Sequence, residues 1–201
     1  MSTTKALNGF HPSRIRGGQY NTGGYNEYRV STGYAANIFS GDLVKNVGGY
    51  INVISSITDI VNGVFVGCRY VADGKPIWSK YWPSGTSATG AVAFVVDDPN
   101  ATFIVQADAS VSVGDLNSQN FDVTLGAGST LTGNSGFGVK AASRKTIAGM
   151  VRPLGAYATP GNSVDVAATM AFPVLEVRLV QGAEGYMDVV ASVSAIISST
   201  K

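Results

Sequence analysis

Valine outnumbers leucine by 25 to 8 in this chain, and only 3 of its 201 residues are glutamate. β-branched side chains lose rotamer freedom in a helix but pack well on a pleated sheet, whereas leucine and glutamate favour helices. The balance discards a mainly helical protein. The 25 glycines point the same way, because glycine supplies the backbone freedom that tight turns need. The expectation is an all-β chain of many short strands, an antiparallel barrel or sandwich.

Turn signals and alternation place the strands. Residues 43–47 and 50–57 flank Gly48-Gly49, the spacing of a two-residue hairpin. In the stretch 64–71, Val64, Val66 and Cys68 fall on one face and Phe65, Gly67 and Arg69 on the other. Residues 91–96 and 102–107 are separated by Asp97-Asp98-Pro99-Asn100, a turn cluster. Further strands are predicted at 28–34, 76–82, 121–125 and 146–154. At 174–180, Leu175, Val177 and Leu179 alternate with Glu176 and Arg178, the half-buried antiparallel pattern. Three regions follow: an extended N-terminal arm (1–27), one β domain (28–181) and a C-terminal strand or tail (182–201).

The first region is set apart by its glycines, at positions 17, 18, 23 and 24, and its sparse apolar residues. Two readings stand side by side, a frayed terminus or an arm that orders on a partner. In the second, Phe10, Tyr20 and Tyr25 are buried, Arg14 and Arg16 make charge-assisted bonds, and His11 is an interface polar residue.

Chemistry-bearing residues are few. The 14 Lys and Arg against 13 Asp and Glu leave a net charge of +1, which argues against a nucleic-acid-binding field. No apolar run approaches the ~18 residues of a membrane helix. The N-terminus reads as polar, so the expectation is a soluble protein folded in a reducing cytoplasm. One cysteine and one histidine make neither a disulfide framework nor a zinc site without several carboxylates. Gly133-Asn134-Ser135-Gly136-Phe137 lacks the final glycine of a nucleophile elbow. His11, the only imidazole, lies in the glycine-rich arm, a poor setting for a base that must be held rigidly. Asp97-Asp98 reads as a turn. No catalytic residue, metal or cofactor is expected, and the chain is read as a binding or structural protein, not an enzyme.

Two further features stay open. Trp78, Tyr81 and Trp82, beside Lys75 and Lys80, either stack sugars or bases or fill the barrel. An all-acidic stretch (Asp97, Asp98, Asp108, Asp115, Asp122) precedes Lys140, Arg144, Lys145 and Arg152. These are either solvated loops or a contact between subunits or with a charged host surface.

Five segments, in order, carry a resemblance. They are Gly9-Phe10-His11-Pro12-Ser13-Arg14-Ile15-Arg16-Gly17-Gly18, Ile38-Phe39-Ser40-Gly41-Asp42-Leu43-Val44-Lys45 and Gly63-Val64-Phe65-Val66-Gly67-Cys68-Arg69-Tyr70. Trp78-Ser79-Lys80-Tyr81-Trp82-Pro83 and Asp97-Asp98-Pro99-Asn100-Ala101-Thr102-Phe103 complete the series. Over about residues 9–155 the chain resembles the capsid decoration, or cement, proteins of tailed bacteriophages. The resemblance implies a β-barrel or tulip-like domain on the outer surface of the virion, bound to major capsid protein and often trimeric. It implies head stabilisation without catalysis, nucleic acid or membrane. On this reading Phe10, His11, Arg14, Arg16, Tyr20 and Tyr25 are the capsid-binding candidates. The alternative is a carbohydrate-binding β module that uses Trp78, Tyr81 and Trp82.

Overall fold

The strand pattern resolves into two large sheets and a two-stranded ribbon, with the buried side chains gathered into two cores. The computed structural model describes residues 4–15, 19–20, 24–157 and 171–180, the pair 19–20 through its backbone. The C-terminal strand or tail expected at 182–201 lies outside the described residues, as does Arg16. The chain runs through β1 (His11–Ile15), β2 (Gln19–Tyr20), β3 (Asn26–Arg29), β4 (Ile38–Phe39), β5 (Leu43–Val47), β6 (Tyr50–Val53), β7 (Gly63–Ala72) and β8 (Lys75–Ser79). It continues through β9 (Tyr81–Trp82), β10 (Thr89–Val96), β11 (Ala101–Gln106), β12 (Asn120–Thr124), β13 (Gly138–Lys145), β14 (Val151–Ala156) and β15 (Val174–Leu179). The protein is all-β, as the composition predicts.

The first sheet is built on the Gly48-Gly49 hairpin. Val47 pairs with Tyr50, and both glycines have positive φ, +59° and +87°. This is the mirror-image turn whose twist matches that of the strands. The order β10-β3-β6-β5-β7 closes when β7 also pairs with β10, making a five-stranded barrel. Its one parallel contact sets Arg29 of β3 beside Tyr50 of β6. Val44, Ile51, Phe65, Cys68, Trp82 and Val95 fill it.

The faces of β7 differ from simple alternation. Phe65 and Cys68 share the barrel core, while Val64 and Val66 pack against the second core. Opposite β10 the register steps from Phe65–Val95 to Gly67–Phe94, so one extra residue of β7 is accommodated. A bulge of this kind reverses the side-chain phase. Cys68 is a free, buried thiol, but on the face of Phe65 and not, as alternation predicts, on that of Val64 and Val66.

The second sheet runs β13-β12-β14-β15-β11-β1-β2. Asp108 N–H donates to the Val139 carbonyl at 2.9 Å, which brings the end of β11 back beside β13. Phe103, Phe121, Val139, Met150, Leu175 and Val177 form the heart of its core. The expected β domain therefore holds two cores, and the first barrel is threaded between β1 and β11 of the second sheet.

The extended arm expected over residues 1–27 is in part a strand of the fold. Residues 11–15 are a sheet strand, with His11 opposite Ile104 and Ile15 opposite Ala101, and Phe10 is 0% exposed in the second core. Pro12 and the arginines hide this strand in the sequence. Proline cannot donate to a ladder, and it is tolerated here beside a register shift between Pro12 and Arg14. β13 was not predicted either. Beyond Val139 it offers Lys140, Ser143, Arg144 and Lys145, the charged composition of an edge strand.

Candidate binding face

The arm residues expected to bind together are dispersed where the structure describes them. Phe10 is core. His11 is half-buried, with its Nε2 3.1 Å from Asn8 Nδ2; burial lowers its pKa against an opposing backbone hydrogen bond with Asn8, with a smaller contribution from the nearby Lys80 charge. Arg14 holds Glu176 of β15 with two bonds, 2.6 Å and 2.7 Å, and so clamps β1 across β11. Burial works against the Glu176 charge, but Arg14 and the Thr102 hydroxyl outweigh it and hold the carboxyl below its ordinary range. Arg16 lies outside the described residues. Tyr20 is placed in β2 through its backbone, opposite Arg14. Among those of the six whose side chains are described, Tyr25 presents a large exposed ring.

The aromatic cluster also divides. Trp82 is fully buried and meets Tyr70 edge-on at 5.1 Å. Tyr81 stacks on Phe39 at 5.5 Å. These two belong to the packing of the first barrel and its β4–β9 ribbon. Trp78 faces the opposite way and is 71% exposed.

Around Trp78 the outer wall of the barrel forms a continuous ring surface. In register, Glu27, Phe94 and Gly67 make one cross-strand row, and Arg29, Val92, Arg69 and Trp78 make the next. Gly67 adds no side chain to the outer face, so the indole of Trp78 reaches across β7 and lies on Phe94, 5.5 Å between centroids and 18° from parallel. On the other side Tyr25 packs on Phe94 at 4.8 Å. Phe94 is only 7% exposed yet packs in neither core: its cover is the two exposed rings. Arg69 reaches Glu27 at 2.9 Å along the edge of this surface. The alternation of β10 signals an outward Phe94, but its meeting with Tyr25 and Trp78, 69 and 16 residues away, comes from strand pairing.

The seam between the two sheets holds the buried acid. Asp42 accepts the Phe39 N–H at 2.7 Å and a bond from the Ser135 hydroxyl, and burial, opposed by these bonds, raises its pKa to about 6. Phe10 N–H donates to the Gly41 carbonyl and Ser135 N–H to that of Ser40, at 3.0 and 2.9 Å. The acid thus sits where β1, the β4–β5 turn and the 133–137 segment cross. A groove of about 730 Å3 opens beside it, lined by Phe39, Ile54, Leu125, Leu131 and Phe137. Ser135 is buried, and its oxygen accepts the Phe137 N–H at 2.9 Å; the serine organises a loop.

The raised Asp42 pKa has a definite sign. Between an unfolded value near 3.8 and a folded value of about 6, the native state holds more protons, so stability falls as pH rises through that window. The size is on the order of 3 kcal/mol. Asp42→Asn should remove this slope while keeping an acceptor for Phe39. Urea titrations at pH 4 and pH 7 check it: the variant should gain on the wild type at the higher pH, and a constant difference rejects the assignment.

Burial drives the Cys68 thiol up to about 12, far from a nucleophile's range. Among the described residues no group of three or more His, Cys, Asp or Glu side chains is placed to hold a metal ion, and no helix is long and apolar enough to cross a membrane. Compared with known protein families, curated proteins and solved structures, the chain matches none.

Proposed function

We propose that this chain is a structural virion protein that decorates the outside of a tailed-phage head and stabilises it by bridging major capsid protein subunits, without catalysis or cofactor. The observation that carries the reading is where the five resembling segments fall. They supply Phe10 and β1, β4 with β5, most of β7, the β8–β9 turn and the link from β10 into β11. Among them β7 is one of the two strands whose pairing closes the first barrel, and β1 belongs to the second sheet.

The capsid contact does not use a free N-terminal arm, since Phe10 is in the second core and residues 11–15 are a strand of the second sheet. Exposed apolar side chains elsewhere, Ile60, Leu131 and Ile147, provide surface for capsid or for sister subunits in a homotrimer. The C-terminal residues 186–199, which also argue for a covering neighbour by their sequence, lie outside the described residues. Quantitative mass spectrometry of purified virions tests the reading. A copy number near one per capsid subunit is expected, with light scattering of the free protein at the mass of a trimer. A handful of copies per particle would sink the decoration role.

A further inference from the structure

The outer wall of the first barrel exposes its largest ring at a place where nothing in the fold requires it. An indole left 71% exposed forgoes the burial that normally makes tryptophan worthwhile in a β protein. It is nevertheless held in one orientation. Its inner face lies on Phe94 nearly parallel, at 18°, and Tyr25 supports Phe94 from the far side. The result is a flat shelf with one ring face toward solvent and little rotamer freedom left to lose on binding.

What surrounds the shelf decides its chemistry. Arg69 stands directly opposite Trp78 in register and is paired with Glu27 at 2.9 Å. Both side chains remain about half exposed, at 41% and 51%, so donor and acceptor atoms are available beside the ring. A protein-binding core is depleted of charge and needs on the order of 1,000 Å2. Here the exposed apolar surface is chiefly two rings, beside the Arg69–Glu27 ion pair and Arg29. That suits a ligand with one apolar face and a polar rim. The axial C–H face of a hexopyranose carries slight positive charge and stacks on the negative face of an indole, and its equatorial hydroxyls point outward in the ring plane, toward groups such as guanidinium and carboxylate.

We infer that Trp78, Phe94 and Tyr25, with Arg69 and Glu27, form a binding site for a hexopyranose unit of a polysaccharide. Trp78 is the stacking platform, Phe94 and Tyr25 hold it flat, and the ion pair bonds the sugar hydroxyls. The inference stands on the geometry of this face and does not depend on the virion assignment.

The test uses the full-length protein and the indole N–H signals of its two tryptophans, with Trp78→Phe assigning them. Cellohexaose, chitohexaose, mannohexaose and dextran are titrated to about 10 mM, a range that reaches millimolar affinities. At least one glycan should shift the Trp78 signal and leave that of buried Trp82 in place. Trp78→Ala should weaken that binding about tenfold or more, and Tyr25→Ala and Arg69→Ala several-fold. Tyr25→Ala and the wild-type spectra carry the test should Trp78→Ala fold poorly. No shift with any of the four glycans overturns the site, and so does binding that Trp78→Ala leaves intact. Loss of capsid attachment in Trp78→Ala, with no glycan response in the wild type, would reassign the face to a protein contact and also overturn it.

Discussion

Phe10→Ala should lower the stability of the folded chain by about 3–5 kcal/mol, the range for removing a buried phenylalanine. The ring is 0% exposed and packs with Leu43, Phe103 and Phe137 in the second core. It also follows Gly9 at a close crossing, where a β-carbon on Gly9 would come within 2.5 Å of that of Ser135. The surroundings are thus poorly able to collapse into the space left behind. For a chain of this size each kcal/mol moves the thermal midpoint by roughly 2–4 °C. Deleting residues 1–15 should do more, since it removes the ring, the β1 ladder on β11 and the Arg14 clamp on Glu176. Circular dichroism melts of both variants check this. A truncated protein that melts with the wild type would restore a dispensable arm.

Gly136→Ala should be as damaging, for want of space. A β-carbon there would lie 2.1 Å from the Ala127 carbonyl oxygen, and one on Gly126 would lie 2.1 Å from that of Gly136. Two backbone segments of the 126–138 stretch cross in contact, and neither obstacle is a flexible side-chain tip. The cost is expected at or above the upper end of the ~1–3 kcal/mol typical of overpacking. Gly48→Ala is the matched control. Its β-carbon meets nothing within 4 Å, so only the left-handed backbone at φ +59° opposes it, at about 1–2 kcal/mol. Urea midpoints should rank wild type, Gly48→Ala, then Gly136→Ala. Equal loss in the two variants would show that backbone conformation, not the crossing, sets the demand on glycine.

These two cases mark how far the residues could be read in advance. The Gly48-Gly49 hairpin was legible because its cause is local: two adjacent glycines take the positive φ that joins neighbouring strands. The glycines at 126 and 136 looked like loop composition, since what they make room for lies ten residues away in the chain and touches only in the fold. The same holds for the candidate face. Trp78 stood out by type, but its grouping with Tyr81 and Trp82 followed nearness in sequence, and strand pairing turned Trp82 inward and brought Tyr25 and Phe94 to Trp78 instead.

Composition and short-range pattern alone determined that the chain is all-β and where most of its strands and its tight hairpin lie. Each of these follows from rotamer entropy, backbone freedom or period-two alternation acting over a few residues. Tertiary structure decided the rest. It divided the β unit into two cores, drew Phe10 and β1 into the second, reversed the face of β7 through one extra residue, and set Asp42 at the seam. Strand β1 shows the physical reason. Its Pro12, Arg14 and neighbouring glycines are poor strand formers, yet pairing with β11, the Glu176 carboxylate and a pocket for Phe10 outweigh that local reluctance. All three partners come from residues at least 86 positions further along the chain or from the assembled core, where no local pattern registers them.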